Sequence, residues 1–389
     1  MQKLPLEGFR IIDCSTVLAG PLAATHLADF GADVIKVELP PRQPITRRPS
    51  VRLHEERNKR SVTLDLHYPE GRAVLLRLVE RADALVENFR PGTMERWGLG
   101  ADVLLARNPR LIIHRLSAYG QTGPWRKKVA YDRQAQAFAG ATYVTGYPDA
   151  PPVRSGYAVA DYLAGIWGAF SILLAAYWRD ARGGEGQVSD LALFEPIFRA
   201  SEAAITEYSM SGRVRERAGN RNPGVVPASN FLTADGVWLA VNANSDKQWK
   251  ALARAIGRED LADDPAYQLP ARLERADELY RLLEAWIAAR TAEEVQETLD
   301  LHSVPVAPVL NIADIARHPH YWERGTIEAV DAGPAGTVLM AGVLPKLSKT
   351  PGRIRWAGPL PGQHTDEVLR EVAGLSPEEI AELRRKGIV

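Results

Sequence analysis

The sequence predicts an α/β protein with a twisted, mostly parallel sheet, helices on both of its faces, and a second, smaller domain of mixed helices and strands. Three observations carry the prediction. Short apolar runs rich in β-branched residues alternate with helical stretches from Phe9 to Ser117. The segments between those runs are longer than a hairpin needs, so the strands pair in parallel through right-handed crossovers. From Gly212 to Pro227, Gly, Pro and Arg then replace apolar periodicity, which is the composition of a linker.

Taken in order, Phe9–Cys14 is a strand, Pro21–Phe30 a helix ended by Gly31, and Ala32–Glu38 a second strand. The pattern repeats as helix Pro69–Ala82, strand Asp83–Phe89, helix Thr93–Arg107 and strand Arg110–Ser117. An apolar helix over Val159–Trp178 leads through Arg182–Gly186 to a strand, Gln187–Leu193, and a helix, Pro196–Ser211. After the linker, a hairpin is expected from Asn230–Thr233 and Val237–Asn242 across Ala234-Asp-Gly236, followed by helices near Asp246–Ile256, Ala276–Ala289 and Ala292–Leu301. Strand-like segments return over Gly325–Ser348, and two short helices, Thr365–Val372 and Ser376–Lys386, close the chain. Ser376, Pro377 and Glu379 form the signature of a capping box. The expected domains are 1–211, a linker over 212–229, a small domain over 230–324, and a return segment over 325–389 that completes the large domain.

With 389 residues, 46% of them hydrophobic, the chain is long enough for about two folded domains. Its 48 Lys+Arg balance 48 Asp+Glu, so no electrostatic footprint for nucleic acid or an anionic membrane is present, and neither partner is expected. Cys14 is the single cysteine, which excludes an intrachain disulfide framework and a Cys-based zinc site; a cytoplasmic location is the expectation. The opening Met1–Gly8 lacks the apolar core of a signal peptide, so the chain is expected to start as mature protein. The most apolar window, Leu163–Trp178, falls short of the ~18 residues a spanning helix needs and reads as a buried core helix. No Gly-x-Gly-x-x-Gly follows the first strand, and no phosphate loop, His-x-x-x-His pair or Gly-x-Ser-x-Gly elbow occurs, which disfavours NAD, nucleoside triphosphates, metal catalysis and a serine nucleophile.

Open parallel sheets bind ligands at the carboxyl ends of their strands. There stand Val17, Leu18 and Ala19 after the first strand, Glu38 after the second, Asn88 and Arg90 after the Asp83–Phe89 strand, and Arg96 at the start of the next helix. Singly, each has an ordinary explanation: Asn88 satisfies loop backbone, and Arg96 is a surface charge. Together with Arg47, Arg48, Arg57, Lys59 and Arg60 they outline an electropositive crevice suited to a phosphorylated carrier. Asp161 precedes a long apolar helix, where Asp is a favoured N-cap. The same geometry holds an ionised carboxylate able to attack an acyl carbonyl.

These residues carry a resemblance that runs nearly end to end. The chain resembles the class III CoA-transferases, the family of formyl-CoA and carnitine-type CoA-transferases, through Val17-Leu-Ala-Gly-Pro21, Gly31-Ala-Asp-Val-Ile-Lys-Val-Glu38, Asn58-Lys-Arg-Ser-Val-Thr-Leu-Asp65, Val86-Glu-Asn-Phe-Arg-Pro-Gly92, Ser117-Ala-Tyr-Gly-Gln-Thr-Gly-Pro124 and Gly362-Gln-His-Thr-Asp-Glu-Val-Leu369. The resemblance implies a large Rossmann-like domain completed by the C-terminal segment, a smaller α+β domain, and an interlocked homodimer. It places the nucleophile at Asp161, and CoA contacts at Val17, Leu18, Ala19, Leu64, Asn88, Phe89, Arg96, Trp97 and Lys128, with Tyr131 and Asp132 positioning a small carboxylic acid acceptor. Coenzyme A and acyl-CoA enter as substrates, with no permanently bound cofactor and no metal. Transfer would pass through mixed anhydrides and an aspartyl-CoA thioester.

Some oxalate-using relatives carry a glutamine at Leu18, a lysine near Val129 and a run of glycines over the nucleophile; this chain has none of these, and Gly219–Asn230 holds only Gly219 and Gly224. A different acid is therefore expected, with succinyl-CoA as donor and Arg47, Arg52 and His54 pairing with its second carboxylate. Two alternatives stay open. A 2-methylacyl-CoA racemase of similar architecture would need a His-Asp pair on Val129–Asp132, where the His is missing. A non-catalytic CoA-binding regulator would have no use for Asp161.

Overall fold

A computed structural model describes residues 3–41, 49–222 and 224–389. The elements run β1 (Arg10–Asp13), α1 (Ala19–Ala28), β2 (Asp33–Glu38), α2 (Pro49–Glu55), β3 (Lys59–Thr63), α3 (Pro69–Val79), β4 (Ala84–Glu87), α4 (Thr93–Arg96), α5 (Ala101–Arg107) and β5 (Ile112–Ser117). Next come α6 (Asp132–Phe138), α7 (Ala141–Val144), α8 (Val159–Ala181), β6 (Val188–Ala192), α9 (Glu195–Arg199) and α10 (Ala204–Ser211). The first six strands form one parallel sheet in the order β3-β2-β1-β4-β5-β6. From β1 the chain builds outward to β3, then returns to lay β4 on the other side of β1. The strand order reverses between β1 and β4.

Both faces of the sheet are covered, which is why its strands read as nearly continuous apolar runs. Alternate residues divide between two cores. Ile12, Ile35, Leu85 and Ile113 pack with Leu75 and Leu78 of α3 and with Val368 and Leu369 near the C-terminus. Ile11, Val34, Val86 and Ile112 face α1 and α8. Helix α8 lies close on α1 because small residues meet there: a Cβ on Gly165 would stand 2.6 Å from the Leu22 Cβ, and one on Gly168 would stand 2.8 Å from that of Ala23.

Several expectations change. Lys59–Thr63 is a strand that the sequence hid, because charged Lys59 and Arg60 interrupt its apolar pattern. The helix expected over Thr93–Arg107 is two, separated by Gly98 at φ 70°. The helix expected over Pro196–Ser211 also splits, with Glu202 at φ 56° between α9 and α10. The helix read as buried core is α8, and only one face is buried, mostly Ala and Gly with Ile172 and Arg179; Ile166, Phe170, Leu174, Tyr177 and Trp178 are exposed. By length and composition α8 would also cross a bilayer.

The chain forms two compact units, one of Met1–Ala141, Ser155–Ala203 and Pro319–Val389, the other of Thr142–Arg154 and Ala204–His318. These limits differ from the expected linker at 212–229. Residues 142–154 join the smaller unit because Glu216 accepts the Tyr143 hydroxyl, Arg217 donates to the Tyr143 carbonyl, and the Gly219 N–H donates to the Gly146 carbonyl. Within that unit, β7 (Ala228–Leu232) and β8 (Trp238–Asn242) make the expected hairpin, with β9 (Val306–Pro308) beside β8. Helices Asp246–Ala255, Ala276–Ala288 and Ala292–Leu301 pack on it around Phe231, Leu239, Trp249 and Leu283. In the larger unit, β10 (Ile327–Asp331) and β11 (Thr337–Ala341) pair as a hairpin, and Ser376 caps the last helix with Glu379 returning the bond.

Candidate active site at the sheet switch point

Where the strand order reverses, the turns after β1 and β4 diverge and leave a crevice, the usual ligand position in open α/β sheets. A cleft of about 210 Å³ opens there. Thr16, Val17, Leu18 and Ala19 line one wall, Asn88, Phe89 and Arg90 another, and Lys128, Tyr131 and Asp161 are among the residues that complete it.

The turn after β1 is strained and firmly held. Val17 has φ 67°, a left-handed conformation that a β-branched residue adopts only when its surroundings impose it. Asn88 supplies one constraint: its Oδ1 accepts the Thr16 N–H at 2.7 Å and its Nδ2 donates to the Thr16 carbonyl at 2.7 Å. Asp13 supplies another, accepting the Ser15 N–H at 3.0 Å and the Ser15 hydroxyl. Lys36 donates to the Ser15 carbonyl and lies 3.3 Å from Asp13. Lys59 donates to Asp13 at 2.9 Å and to Glu56 at 2.8 Å, with all three side chains buried. Burial opposes ionisation of Asp13, but Lys36 and Lys59 overcome it and hold its carboxyl well below the usual carboxylate range.

The far side of the cleft is built differently. Asp161 lies in the first turn of α8, where its carboxylate faces the cleft and, among the described residues, takes no hydrogen bond. The cap of α8 comes from another helix: Asp132, at the start of α6, accepts the Ala160 N–H at 2.8 Å and the Asp161 N–H at 3.4 Å. Burial pushes the Asp161 carboxyl up, and the charge of Asp132 adds to this, bringing it to about 7.

A second hollow of about 310 Å³ shares Thr16, Val17 and Phe89 with the first and extends toward β2 and β3. Leu64, Leu66 and Trp97 line it, and Trp97 meets Phe89 and His67 edge-on at 5.2 and 5.3 Å. The two hollows thus share a wall, one apolar and aromatic and the other lined by the Asp161 carboxylate.

Comparison with known proteins gives the family. Residues 6–365 match the sequence model of CoA-transferase family III. The chain belongs to that family. It is 44% identical over 399 residues to the succinyl-CoA–L-malate CoA-transferase beta subunit of Chloroflexus aurantiacus, covering 99% of this chain and 98% of the relative. It is 39% identical over 395 residues to the succinyl-CoA–D-citramalate CoA-transferase of the same organism, covering 99% and 98%. The solved structure of a CAIB/BAIF family protein from Brucella suis superposes with a TM-score of 0.84 at 30% identity, covering 95% of this chain and 100% of that one. The protein is thus a class III CoA-transferase, an enzyme that moves CoA between acyl-CoA and an acid.

Within this family III chain, the structure gathers Val17, Leu18, Ala19, Asn88, Phe89, Lys128, Tyr131 and Asp161 around the first cleft and Leu64 and Trp97 around the second. Others stand elsewhere. Arg96 lines neither hollow and donates to the Thr93 hydroxyl at 2.8 Å. Both ends of the Asn88 amide are spent on Thr16, so its first task is to hold the turn. Asp161 is not the N-cap of α8, and its raised carboxyl is not fully ionised at neutral pH. The expected electropositive crevice is absent among the described residues: Arg57 pairs with Asp29, Lys59 with Asp13 and Glu56, and Arg60 with Asp33 and Glu367. Arg52 is engaged by Glu38 and His54 packs on Arg57; Arg47 and Arg48 lie outside the described residues. Buried cations need carboxylate partners, and the fold supplies them. The sequence reading also missed Asp13, Lys36 and His67. A charge inside each of the first two apolar strands was the signal for Asp13 and Lys36.

Proposed function

We propose that this enzyme transfers CoA from succinyl-CoA to a second small dicarboxylic acid, with Asp161 as covalent nucleophile. The observation that carries the reading is the Asp161 carboxylate, fixed by its helix, open to the cleft and free of hydrogen-bond donors among the described residues. The named activities of the two Chloroflexus relatives support the donor and the class of acceptor.

The chemistry balances without an added reactant. A carboxylate oxygen of Asp161 attacks the thioester carbonyl, the C–S bond breaks, and CoA leaves as thiolate, giving a mixed anhydride. The thiolate attacks the Asp161 side-chain carbonyl and expels the donor carboxylate, leaving an aspartyl-CoA thioester. The acceptor carboxylate then attacks that thioester and releases the thiolate. Attack of the thiolate on the acceptor carbonyl of the second anhydride forms the new acyl-CoA and frees Asp161. Each tetrahedral intermediate needs oxyanion donors. Ala19 and Gly20 open α1, where first-turn N–H groups have no intrahelical partner, and Pro21 behind them has none to offer. Arg90 and Lys128 are the cationic side chains on the cleft wall and would meet a second carboxylate in this reading.

The enzyme acts as an interlocked homodimer in this reading, and the exposed apolar face of α8 supports burial against a second copy. The test is intact-protein mass spectrometry after incubation with succinyl-CoA and hydroxylamine trapping, alongside Asp161→Ala. A CoA adduct mapped to Asp161, with turnover reduced on the order of 10³-fold or more in the variant, is expected. Retained turnover in Asp161→Ala overturns the assignment, and solvent deuterium entering the α-carbon of a 2-methylacyl-CoA would move the enzyme to racemase chemistry.

A further inference from the structure

The resemblance made Asp132 a residue that positions the acceptor acid, but its surroundings give it other work. Both carboxylate oxygens are already engaged: Oδ1 accepts the N–H groups of Ala160 and Asp161, and Oδ2 accepts the Gln136 amide at 2.7 Å. Gln136 is buried, and its side-chain oxygen accepts the Ser155 N–H at 3.2 Å, so the chain leading into α8 is stitched to α6. Asp132 is absent from the cleft wall that Asp161 lines. An anionic acceptor would also be repelled by a second carboxylate rather than bound by it.

We propose that Asp132 is a positioning residue for Asp161: it caps α8 from outside the helix and sets a second negative charge against the reacting carboxylate. This rests on the reading of Asp161 as nucleophile. The two contributions are separable. The cap fixes the backbone of Ala160 and Asp161, which aims the nucleophile. The charge makes Asp161 more basic, hence a stronger nucleophile once ionised, at the expense of the ionised fraction below neutral pH. The other groups near Asp161 are Tyr162, whose hydroxyl donates to Glu55, and Tyr131, Lys128 and Arg90 on the cleft wall. Of these neighbours, Asp132 is the one whose charge adds to burial in raising Asp161.

Asp132→Asn keeps an acceptor oxygen for Ala160 and Asp161 but removes the charge and, because its Nδ2 is a donor, the bond accepted from Gln136; Asp132→Ala removes the cap as well. The experiment measures kcat/KM for succinyl-CoA between about pH 5.5 and 9 in the full-length enzyme and both variants, with adduct trapping on the unmodified enzyme. The expected result is an acid limb displaced downward by about one pH unit in Asp132→Asn, and an alkaline plateau lower in Asp132→Ala than in Asp132→Asn. An unmoved acid limb in Asp132→Asn, with an Asp161 adduct still formed by the unmodified enzyme, overturns the proposal and leaves the nucleophile standing. No adduct in the unmodified enzyme overturns the nucleophile and this proposal together. Should Asp132→Ala fail to fold, Asp132→Asn carries the decision.

Discussion

Asp13 and Asp161 belong to the same compact unit, Asp13 buried behind the turn after β1 that walls the cleft and Asp161 lining the cleft from the first turn of α8, yet the fold treats them in opposite ways. Asp13 is fully enclosed, with Lys36, Lys59 and the Ser15 hydroxyl around it, and stays ionised far below the usual range. Asp161 is only partly buried, has no cationic partner among the described residues, faces Asp132, and is driven up to about 7. The difference separates scaffold from chemistry. A buried charge whose partners are all present is inert and rigid, and here it pins the strained Val17 turn. A carboxylate given burial and a like charge instead is left easy to protonate and without a counter-charge, which is the environment the proposed nucleophile would need.

The contrast breaks most visibly at its satisfied end. Lys59→Met leaves Asp13 and Glu56 without their shared cation, and a loss of about 3–5 kcal/mol is expected in urea unfolding followed by circular dichroism at fixed protein concentration. A loss below 1 kcal/mol, on the scale of a surface ion pair, would mean that the network is not what makes Asp13 inert. Asn88→Ala removes both bonds to Thr16 and lets Val17 relax, with an expected cost of about 1–3 kcal/mol and a fall in kcat larger than any rise in KM. A pure KM effect would instead mark Asn88 as a CoA ligand.

The smallest change sharpens the other end. Asp161→Asn removes a charge that the fold disfavours, so the variant should be more stable than the unmodified enzyme by on the order of 1–2 kcal/mol at pH 8, discounted for partial solvent exposure. The sign follows from linkage. The Asp161 carboxyl is raised from 3.8 to about 7 on folding, so the unmodified protein loses stability as pH climbs between those values and no further above them. The gain in Asp161→Asn should therefore vanish near pH 4 and level off above pH 7, as thermal unfolding across pH would show; a gain independent of pH would place its origin outside this titration.

Much of the scaffold was legible in the chain. The strands Ile112–Ser117 and Asp33–Glu38, the helix Ala292–Leu301 and the capping box at Ser376 all follow from local apolar periodicity and cap chemistry. β3 was not, because Lys59 and Arg60 read as solvent-facing until Asp13, Glu56, Asp33 and Glu367 arrive from distant segments to pair with them. The long helices after Thr93 and Pro196 were overextended: Gly98 and Gly100 on either side of Leu99 were a break signal in the chain, whereas the residues around Glu202 keep a helical composition while the backbone turns.

By itself the sequence determined the α/β class, the family, the strands that end at the site and the presence of Asp161 on a helix start, all of which rest on contacts within a few residues or on motifs read in line. Only the tertiary structure decided which cations are spent inside the scaffold, that Asn88 clamps Thr16, and that the cap of α8 is Asp132 rather than Asp161. The physical reason is common to all three. Charge and hydrogen-bond satisfaction depend on which groups meet across 28 residues, as between Asp132 and Ala160, or 72, as between Thr16 and Asn88, and no local pattern specifies those meetings.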